Sequence, residues 1–167
     1  MDQPDNKARI GRREVIGGAV LAGAALLTWP RQRAEAATRF EVRRSPAEWK
    51  KLLGPQRYAI LREAGTERPY SSPLNKEKRR GVFACAGCGL PLFASTAKFE
   101  SRTGWPSFYR ALPKAIVTHS DRTLGMVRTE VLCRRCGGHL GHVFDDGPKP
   151  TGLRYCMNGL ALRFRPA

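Results

Sequence analysis

The segments CAGCG (residues 85–89) and CRRCG (residues 133–137) each contain a C-x-x-C pair followed directly by glycine. This spacing allows two thiolates to reach one tetrahedral zinc ion at about 2.3 Å, and the glycine relaxes the turn that carries them. Because the two pairs are far apart in the chain, a shared metal would tie two separate parts of one fold together. We therefore predict one structural Zn²⁺ per chain with no open coordination position, held by Cys85, Cys88, Cys133 and Cys136.

Two other interpretations of these four cysteines are open. In an exported protein they would form two disulfides, and a single C-x-x-C pair would also suit a redox site. Neither interpretation explains two matched pairs as simply as a metal does. A filled zinc site supplies on the order of 10 kcal/mol of folding free energy, which helps a domain whose core is modest.

From Gly81 onward the chain alternates short apolar segments with turns, which is typical of a β domain. The dipeptide Asn158-Gly159 favours a tight two-residue hairpin between the last two segments. The sequence thus predicts a mainly β fold whose strands are mostly antiparallel. The candidate strands are residues 81–84, 115–118, 123–132, 141–144, 153–157 and 160–164.

Two helices are predicted before these strands. Ser45-Pro46-Ala47-Glu48 fits a capping box with proline at the first helical position. Gly54 is suited to end that helix, and Pro55 to begin a second one that ends near Gly65. We expect both helices to pack on the periphery of the β domain.

Residues 1–36 have the order of an export signal, which is a charged start, an apolar run and a small-residue ending. The pair Arg12-Arg13 precedes the apolar residues 15–29, and Ala34-Glu35-Ala36 supplies the A-x-A motif. The arginine pair indicates the twin-arginine route, so we expect export to the periplasm with cleavage after Ala36. The alternative is an uncleaved signal that tethers the protein to the membrane, although the apolar run is shorter than the roughly 20 residues that span a bilayer.

The rest of the chain divides into a linker, residues 37–44, and a domain, residues 45–167, which we expect to be a monomer. The whole chain carries a formal charge of +16. Such an excess suits nucleic acid, an anionic membrane surface or a solvated basic surface. The basic residues occur as scattered pairs, which favours a solvated surface, with membrane contact only through the export signal.

Cys156, in the segment TGLRYCMNGLALRF (residues 151–164), is the only cysteine outside the C-x-x-C pairs. In an extended strand Arg154 and Asn158 share its face, while the intervening apolar residues lie on the other face and form the core side. The pattern therefore places a thiol between a cation and an amide. We expect Arg154 to favour its ionisation below the free pKa of about 8.5.

His139 and His142 lie close to the second C-x-x-C pair, in GGHLGHVF (residues 137–144). An H-x-x-H metal site would require displacement of a cysteine, whereas a pKa near 6.5 suits either imidazole for proton transfer. Trp105 lies between Gly104 and Pro106, where restricted backbone holds it either in the core or on the wall of a pocket.

Three segments together resemble the type B peptide methionine sulfoxide reductases. They are CAGCGLPLF, KFESRTGWPSF and RTEVLCRRCGGHLGHVFDDGPKPTGLRYCMNGLALRF, and the likeness spans residues 81–164, more weakly from residue 46. The resemblance implies two antiparallel sheets with peripheral helices and four zinc thiolates at the C-x-x-C cysteines. It also implies that Cys156 is the nucleophile and that His139, His142, Trp105 and Asn158 shape its site.

The resemblance further implies reduction of the R epimer of methionine sulfoxide in peptides and proteins. The Cys156 thiolate would attack the sulfoxide sulfur and become a sulfenic acid. His142, with His139 or Asn158, would hydrogen-bond and protonate the oxygen, and Trp105 would receive the sulfur-bound methyl group. Arg154 would complete the pocket.

The sequence departs from the family pattern at two positions. Many relatives carry a resolving cysteine where this chain has Thr103, so we expect a thioredoxin-like or small thiol from outside to reduce the sulfenic acid. Arg102 stands where glycine is frequent in relatives.

Two rival classes are a basic zinc-ribbon domain that binds nucleic acid and a zinc-stabilised binding module without activity. The first leaves Cys156 and both histidines unexplained, and an exported protein would rarely meet nucleic acid. We therefore expect no nucleic-acid partner.

Overall fold

The computed structural model describes residues 40–167, a β domain with a broken helix α1 (Pro46–Glu63) at its N-terminal side. The predicted export signal, residues 1–36, lies outside the described residues. No helix within residues 40–167 has both the length and the apolar character needed to cross a bilayer. The strands are β1 (Gly81–Cys85), β2 (Pro91–Ala94), β3 (Lys98–Phe99), β4 (Ser107–Phe108), β5 (Ile116–Asp121), β6 (Arg128–Cys133), β7 (His139–Phe144), β8 (Arg154–Met157) and β9 (Leu162–Pro166).

These strands form two antiparallel sheets. The smaller sheet has the order β2-β1-β9, and the larger has the order β3-β4-β8-β7-β6-β5. Aromatic residues join the two sheets, because Phe108 of the larger sheet stacks on Phe93 of the smaller with ring centroids 4.4 Å apart. Phe83 of the smaller sheet contacts the Phe108 ring edge-on, with ring centroids 4.9 Å apart. The mainly β fold with two antiparallel sheets is therefore confirmed.

The predicted capping box begins α1. The Ser45 hydroxyl accepts a hydrogen bond from the Glu48 amide, and the Glu48 carboxylate accepts one from the Ser45 amide at 2.7 Å. Gly54 interrupts the helix with φ 69° and ψ 170°, directly before Pro55. The element therefore consists of two helical segments, as the sequence predicts.

The hairpin predicted at Asn158-Gly159 is wrong. β8 pairs with β4 and β7 in the larger sheet, whereas β9 pairs with β1 in the smaller one. The residues between them, Gly159–Ala161, form a 3₁₀ turn. The physical reason is that Asn158 is buried, and its backbone N–H donates to Leu140 O at 2.8 Å. Tertiary contacts therefore set its position, and not a solvent-exposed turn.

Other strand boundaries differ from the prediction. The strand predicted over residues 123–132 begins only at Arg128, because Thr123–Gly125 form a 3₁₀ turn. The Asp121 carboxylate holds this turn by accepting from the amide and the hydroxyl of Thr123. The sequence does not predict strands β2, β3 and β4, because segments this short show too little periodicity to be identified as strands.

Candidate active site and metal centre

The four C-x-x-C cysteines converge on one point. All four Sγ atoms lie within 4.8 Å of one another. Cys85 Sγ lies 3.7 Å from Cys136 Sγ, and Cys88 Sγ lies 3.5 Å from Cys133 Sγ. A tetrahedron with Zn–S bonds of about 2.3 Å has edges of about 3.8 Å. The four sulfurs therefore fit a zinc ion, and the cysteines are not paired as disulfides.

The two C-x-x-C turns adopt matching conformations. Gly89 and Gly137, which follow the pairs, have φ of 75° and 66°, a region that favours glycine. Their amides donate back to Cys85 O at 2.9 Å and to Cys133 O at 2.8 Å. One turn follows β1 of the smaller sheet and the other follows β6 of the larger, so a metal at this point joins the two sheets.

Cys156 lies in the larger sheet, between two polar neighbours on adjacent strands. It is directly opposite His142 of β7 and Ser107 of β4. The thiol lines a cavity of about 130 Å³. The cavity is lined by Thr66, Trp105, Arg128, Gly141, His142, Phe144, Cys156 and Asn158.

Gly141 permits the close approach of β7 and β8 at this point. A Cβ atom at this position would collide with the carbonyl group of Cys156. Glycine therefore brings the backbone of β7 against that of β8, beside the Cys156 thiol.

Burial raises the pKa of the Cys156 thiol, and three neighbours oppose that rise. A hydrogen bond with Thr103, the charge of Arg154 and a hydrogen bond with Ser107 all lower the pKa. The expectation that Cys156 ionises below its free pKa is therefore wrong, because the pKa is raised. Desolvation of the thiolate outweighs the nearby cation.

Arg154 does not line the cavity, although it favours the Cys156 thiolate. Its Nε and Nη2 atoms donate to the Asp146 carboxylate, each at 2.8 Å. Its guanidinium also lies 4.4 Å from the centroid of the Phe144 ring. These contacts hold Arg154 as a fixed cation beside Cys156.

Asp121 and Arg128 belong to the site, and sequence reasoning missed both. His142 Nε2 lies 2.8 Å from Asp121 Oδ2, which also accepts from Arg128 Nη2. Burial lowers the pKa of His142, while the Asp121 hydrogen bond opposes this shift. The hydrogen bonds of Asp121, first those from Thr123 and then that of His142, hold its own pKa far below the usual range.

His139 is buried behind the cavity rather than lining it. Its Nδ1 lies 2.6 Å from Glu130 Oε1, and its ring centroid is 5.5 Å from that of His142. Within the described residues, the metal-binding groups that cluster are the four cysteines alone. The H-x-x-H pair therefore takes no part in a metal site there.

Trp105 and Asn158 line the cavity and are both held by Glu67. Trp105 Nε1 donates to Glu67 O at 3.1 Å, and Asn158 Oδ1 accepts from the Glu67 amide at 3.0 Å. The buried Glu67 carboxylate accepts from the amides of Gly159 and Leu160. Its position in a polar loop, ERPYSS, gave no signal of this role.

Thr103 and Arg102 are the two departures from the family pattern. Thr103 Oγ1 lies 3.8 Å from Cys156 Sγ and 2.8 Å from Ser101 Oγ. Arg102 has φ 60°, the left-handed conformation that glycine adopts most readily. This backbone conformation explains why glycine suits that position.

Comparisons with known proteins agree with this site. Residues 53–166 match the SelR domain family. The chain is 52% identical over 127 residues to the peptide methionine sulfoxide reductase MsrB of Agrobacterium fabrum, covering 75% of this chain and 94% of that protein. It is 51% identical to MsrB of Leptospira interrogans, covering 75% and 97%, and 55% identical to MsrB of Thiobacillus denitrificans, covering 74% and 94%. The chain therefore belongs to the MsrB family of peptide methionine sulfoxide reductases, a family of oxidoreductases.

Proposed function

We propose that this protein reduces the R epimer of methionine sulfoxide in peptides and proteins, with Cys156 as the nucleophile and a sulfenic acid as the intermediate. One observation carries the proposal. Cys156 is the cysteine outside the four-sulfur cluster, and it lines a small cavity together with Trp105, His142 and Asn158. The R preference is supported by membership of the family.

The Cys156 thiolate attacks the sulfoxide sulfur and takes up its oxygen as the sulfur–oxygen bond to methionine breaks. The methionine sulfur is reduced to the thioether, and the Cys156 sulfur is oxidised to the sulfenic acid. Because burial opposes ionisation of the free thiol, we infer that Cys156 gives its proton to neutral His142 as the sulfoxide enters the cavity, and that His142 then passes this proton to the sulfoxide oxygen.

His142 is the proposed proton donor to the sulfoxide oxygen. When both its nitrogens carry protons, Nε2–H donates to Asp121 and the second nitrogen is free to donate to the substrate. The Asp121 carboxylate stabilises this cation. The Asn158 amide also lines the cavity, whereas buried His139 supports His142 from behind, and Trp105 offers an aromatic face to the methyl group.

An outside thiol completes the cycle. It attacks the sulfenic sulfur and releases water, and a second thiol then frees Cys156 from the mixed disulfide. This step is proposed because the sequence has five cysteines and four form the metal cluster. A thioredoxin-like protein or a small thiol would serve.

We also propose that one zinc ion fills the four-cysteine cluster and acts structurally, joining the two sheets. The family assignment favours reduction over the zinc-ribbon nucleic-acid alternative. Residues 1–36 remain a predicted export signal for the periplasm, supported by the order of charge, apolar run and A-x-A motif. Fractionation of cells that carry the tagged full chain tests the location.

The proposed reaction is tested with separate R and S epimers of a methionine sulfoxide peptide and dithiothreitol as reductant. We expect the wild type to reduce the R epimer and Cys156→Ser to reduce neither. Reduction of the S epimer at an equal rate, or turnover by Cys156→Ser, would contradict the proposal.

A further inference from the structure

A second and larger depression, which we call the basic groove, adjoins the Cys156 cavity. Its volume is about 970 Å³, against about 130 Å³ for the cavity. Thr66 lines both spaces, and Asn158 of the cavity is followed directly by Gly159 of the groove. The residues that define its charge and its apolar surface are Arg57, Ile60, Arg68, Leu160, Arg163 and Phe164.

Three arginines in the groove have no acidic partner within residues 40–167. Arg57, Arg68 and Arg163 take part in none of the six ion pairs of this region. Arg57 is half-buried, while the other two are exposed. Arginine binds carboxylates through two parallel hydrogen bonds, so these side chains are suited to acidic groups.

The acidic residues of the groove are already engaged. Glu77 binds the Arg79 guanidinium through both oxygens, at 3.0 and 2.6 Å. Glu67 is buried and accepts from the amides of Gly159 and Leu160. The charge that is not paired within the groove is therefore positive.

Two of the open arginines also repel each other. Burial and the nearby Arg163 charge lower the pKa of Arg57. Like charges held close together without an anion destabilise the protein, and an incoming carboxylate relieves that repulsion. The groove is therefore arranged to gain free energy when an anion binds.

The two spaces differ in what they can hold. A cavity of 130 Å³ lies below the roughly 300–1,000 Å³ of pockets that enclose whole small ligands, so it suits the end of one side chain. The groove reaches that range, and Ile60, Leu160 and Phe164 give it apolar surface between the arginines. A polypeptide chain supplies both a side chain for the cavity and a neighbouring segment for the groove.

We propose that the basic groove binds an acidic segment of the same polypeptide whose methionine sulfoxide occupies the Cys156 cavity. This inference rests on the proposed function and specifies its substrate class as sulfoxides flanked by aspartate or glutamate. An extended chain advances about 3.3 Å per residue, so carboxylates a few positions from the sulfoxide would reach the groove. Direct ion pairs with Arg57 and Arg163 would carry the preference.

The test compares R-sulfoxide peptides in which a pair of aspartates is placed at successive positions on either side of the sulfoxide. Each is matched to a peptide with asparagines at those positions. We expect the best acidic peptide to have a KM about fivefold below that of its partner, with the difference lost at high salt. In Arg57→Gln/Arg163→Gln the ratio of the two KM values should fall to about one.

The control variant is Lys51→Gln/Arg110→Gln, which removes the same charge at exposed positions outside the groove. It should keep the wild-type ratio. An equal KM for both peptides in the wild type would overturn the inference. So would a preference that survives in Arg57→Gln/Arg163→Gln, because the selectivity would then arise elsewhere.

Binding separates this inference from the proposed function. Fluorescence anisotropy of labelled peptides with Cys156→Ser needs no turnover, so tighter binding of the acidic peptide supports the groove even if catalysis fails. Turnover of every peptide without any acidic preference leaves the proposed function standing and overturns the groove inference. If binding of a single-stranded oligonucleotide or of anionic vesicles depends on Arg57 and Arg163 while binding of the acidic peptide does not, the groove serves another partner and the inference fails.

Discussion

Thr103 Oγ1 lies 3.8 Å from Cys156 Sγ, so the side chain beside this thiol is a hydroxyl and not a second thiol. Ser101 and Ser107 extend this hydroxyl group into a chain, with Oγ–Oγ distances of 2.7 to 2.8 Å. Within residues 40–167, Cys156 thus has hydroxyl neighbours, and the other four cysteines lie in the metal cluster. This arrangement supports the proposal that a thiol from outside the chain reduces the sulfenic acid.

Thr103→Cys should give the protein an internal resolving thiol. The two side chains are close enough for a disulfide, so the sulfenic acid should be captured within the chain. After reaction with R-sulfoxide peptide and no reductant, peptide mapping should find a disulfide between the introduced thiol and Cys156. Thr103→Ser is the matched control, and it should instead keep a dimedone-reactive sulfenic acid. Persistence of that acid in Thr103→Cys would contradict the proximity argument.

The ionisation of Cys156 should depend on Arg154. Because burial raises the thiol pKa, alkylation of Cys156 by iodoacetamide should have a midpoint above that of a free cysteine. The Arg154 charge lowers this pKa, so Arg154→Ala should raise it and slow alkylation at neutral pH. At a pH below the pKa, each unit of change in the pKa alters the fraction of thiolate about tenfold.

Mass spectrometry of the Cys156 peptide across a pH series measures this effect. Arg154→Lys retains the positive charge, so its alkylation midpoint should lie between those of Arg154→Ala and the wild type. An alkylation midpoint unchanged by Arg154→Ala would show that Arg154 only supports the loop at Asp146.

Asp121→Asn should impair proton donation by His142. The hydrogen bond that His142 donates to Asp121 raises the His142 pKa against the effect of burial, so its loss should lower that pKa further. We expect kcat/KM to fall by about ten- to a hundredfold because less imidazolium is present near neutral pH. NMR titration of the His142 ring protons measures the shift directly.

Asp145→Asn is the control for this change, because Asp145 is exposed and forms none of the ion pairs of residues 40–167. It should leave both the titration and kcat/KM as in the wild type. An unshifted His142 titration in Asp121→Asn would remove Asp121 from the proton pathway.

Loss of one ligand of the metal cluster should destabilise the fold. The cysteines join β1 of one sheet to β6 of the other, so a missing ligand weakens the contact between sheets. Cys88→Ser should lower Tm by more than about 10 °C and reduce bound zinc, measured by calorimetry and metal analysis.

Cys156→Ser is the matched control, since it removes one thiol outside the cluster. It should retain one zinc per chain and a cooperative transition. A Cys88→Ser protein with unchanged zinc content and Tm would refute the structural role.

The sequence by itself determined the features that depend on local spacing. Two thiolates three positions apart reach one metal through a single turn, and Ser45 and Glu48 cap a helix through neighbouring backbone groups. Gly54 ends the first helical segment for the same local reason. The sequence also shows that Cys156 is the one cysteine outside both C-x-x-C pairs.

The tertiary structure decided what depends on partners distant in the chain. Asn158-Gly159 reads as a hairpin, but Asn158 is buried against Leu140 and Glu67, so β8 and β9 diverge into different sheets. Asp121 reaches His142 because β5, β6 and β7 lie side by side, and burial reverses the expected shift in the Cys156 pKa. The spacing of apolar residues along the sequence predicts which face of a strand a residue occupies. Desolvation and contacts across strands arise only once the sheets have packed.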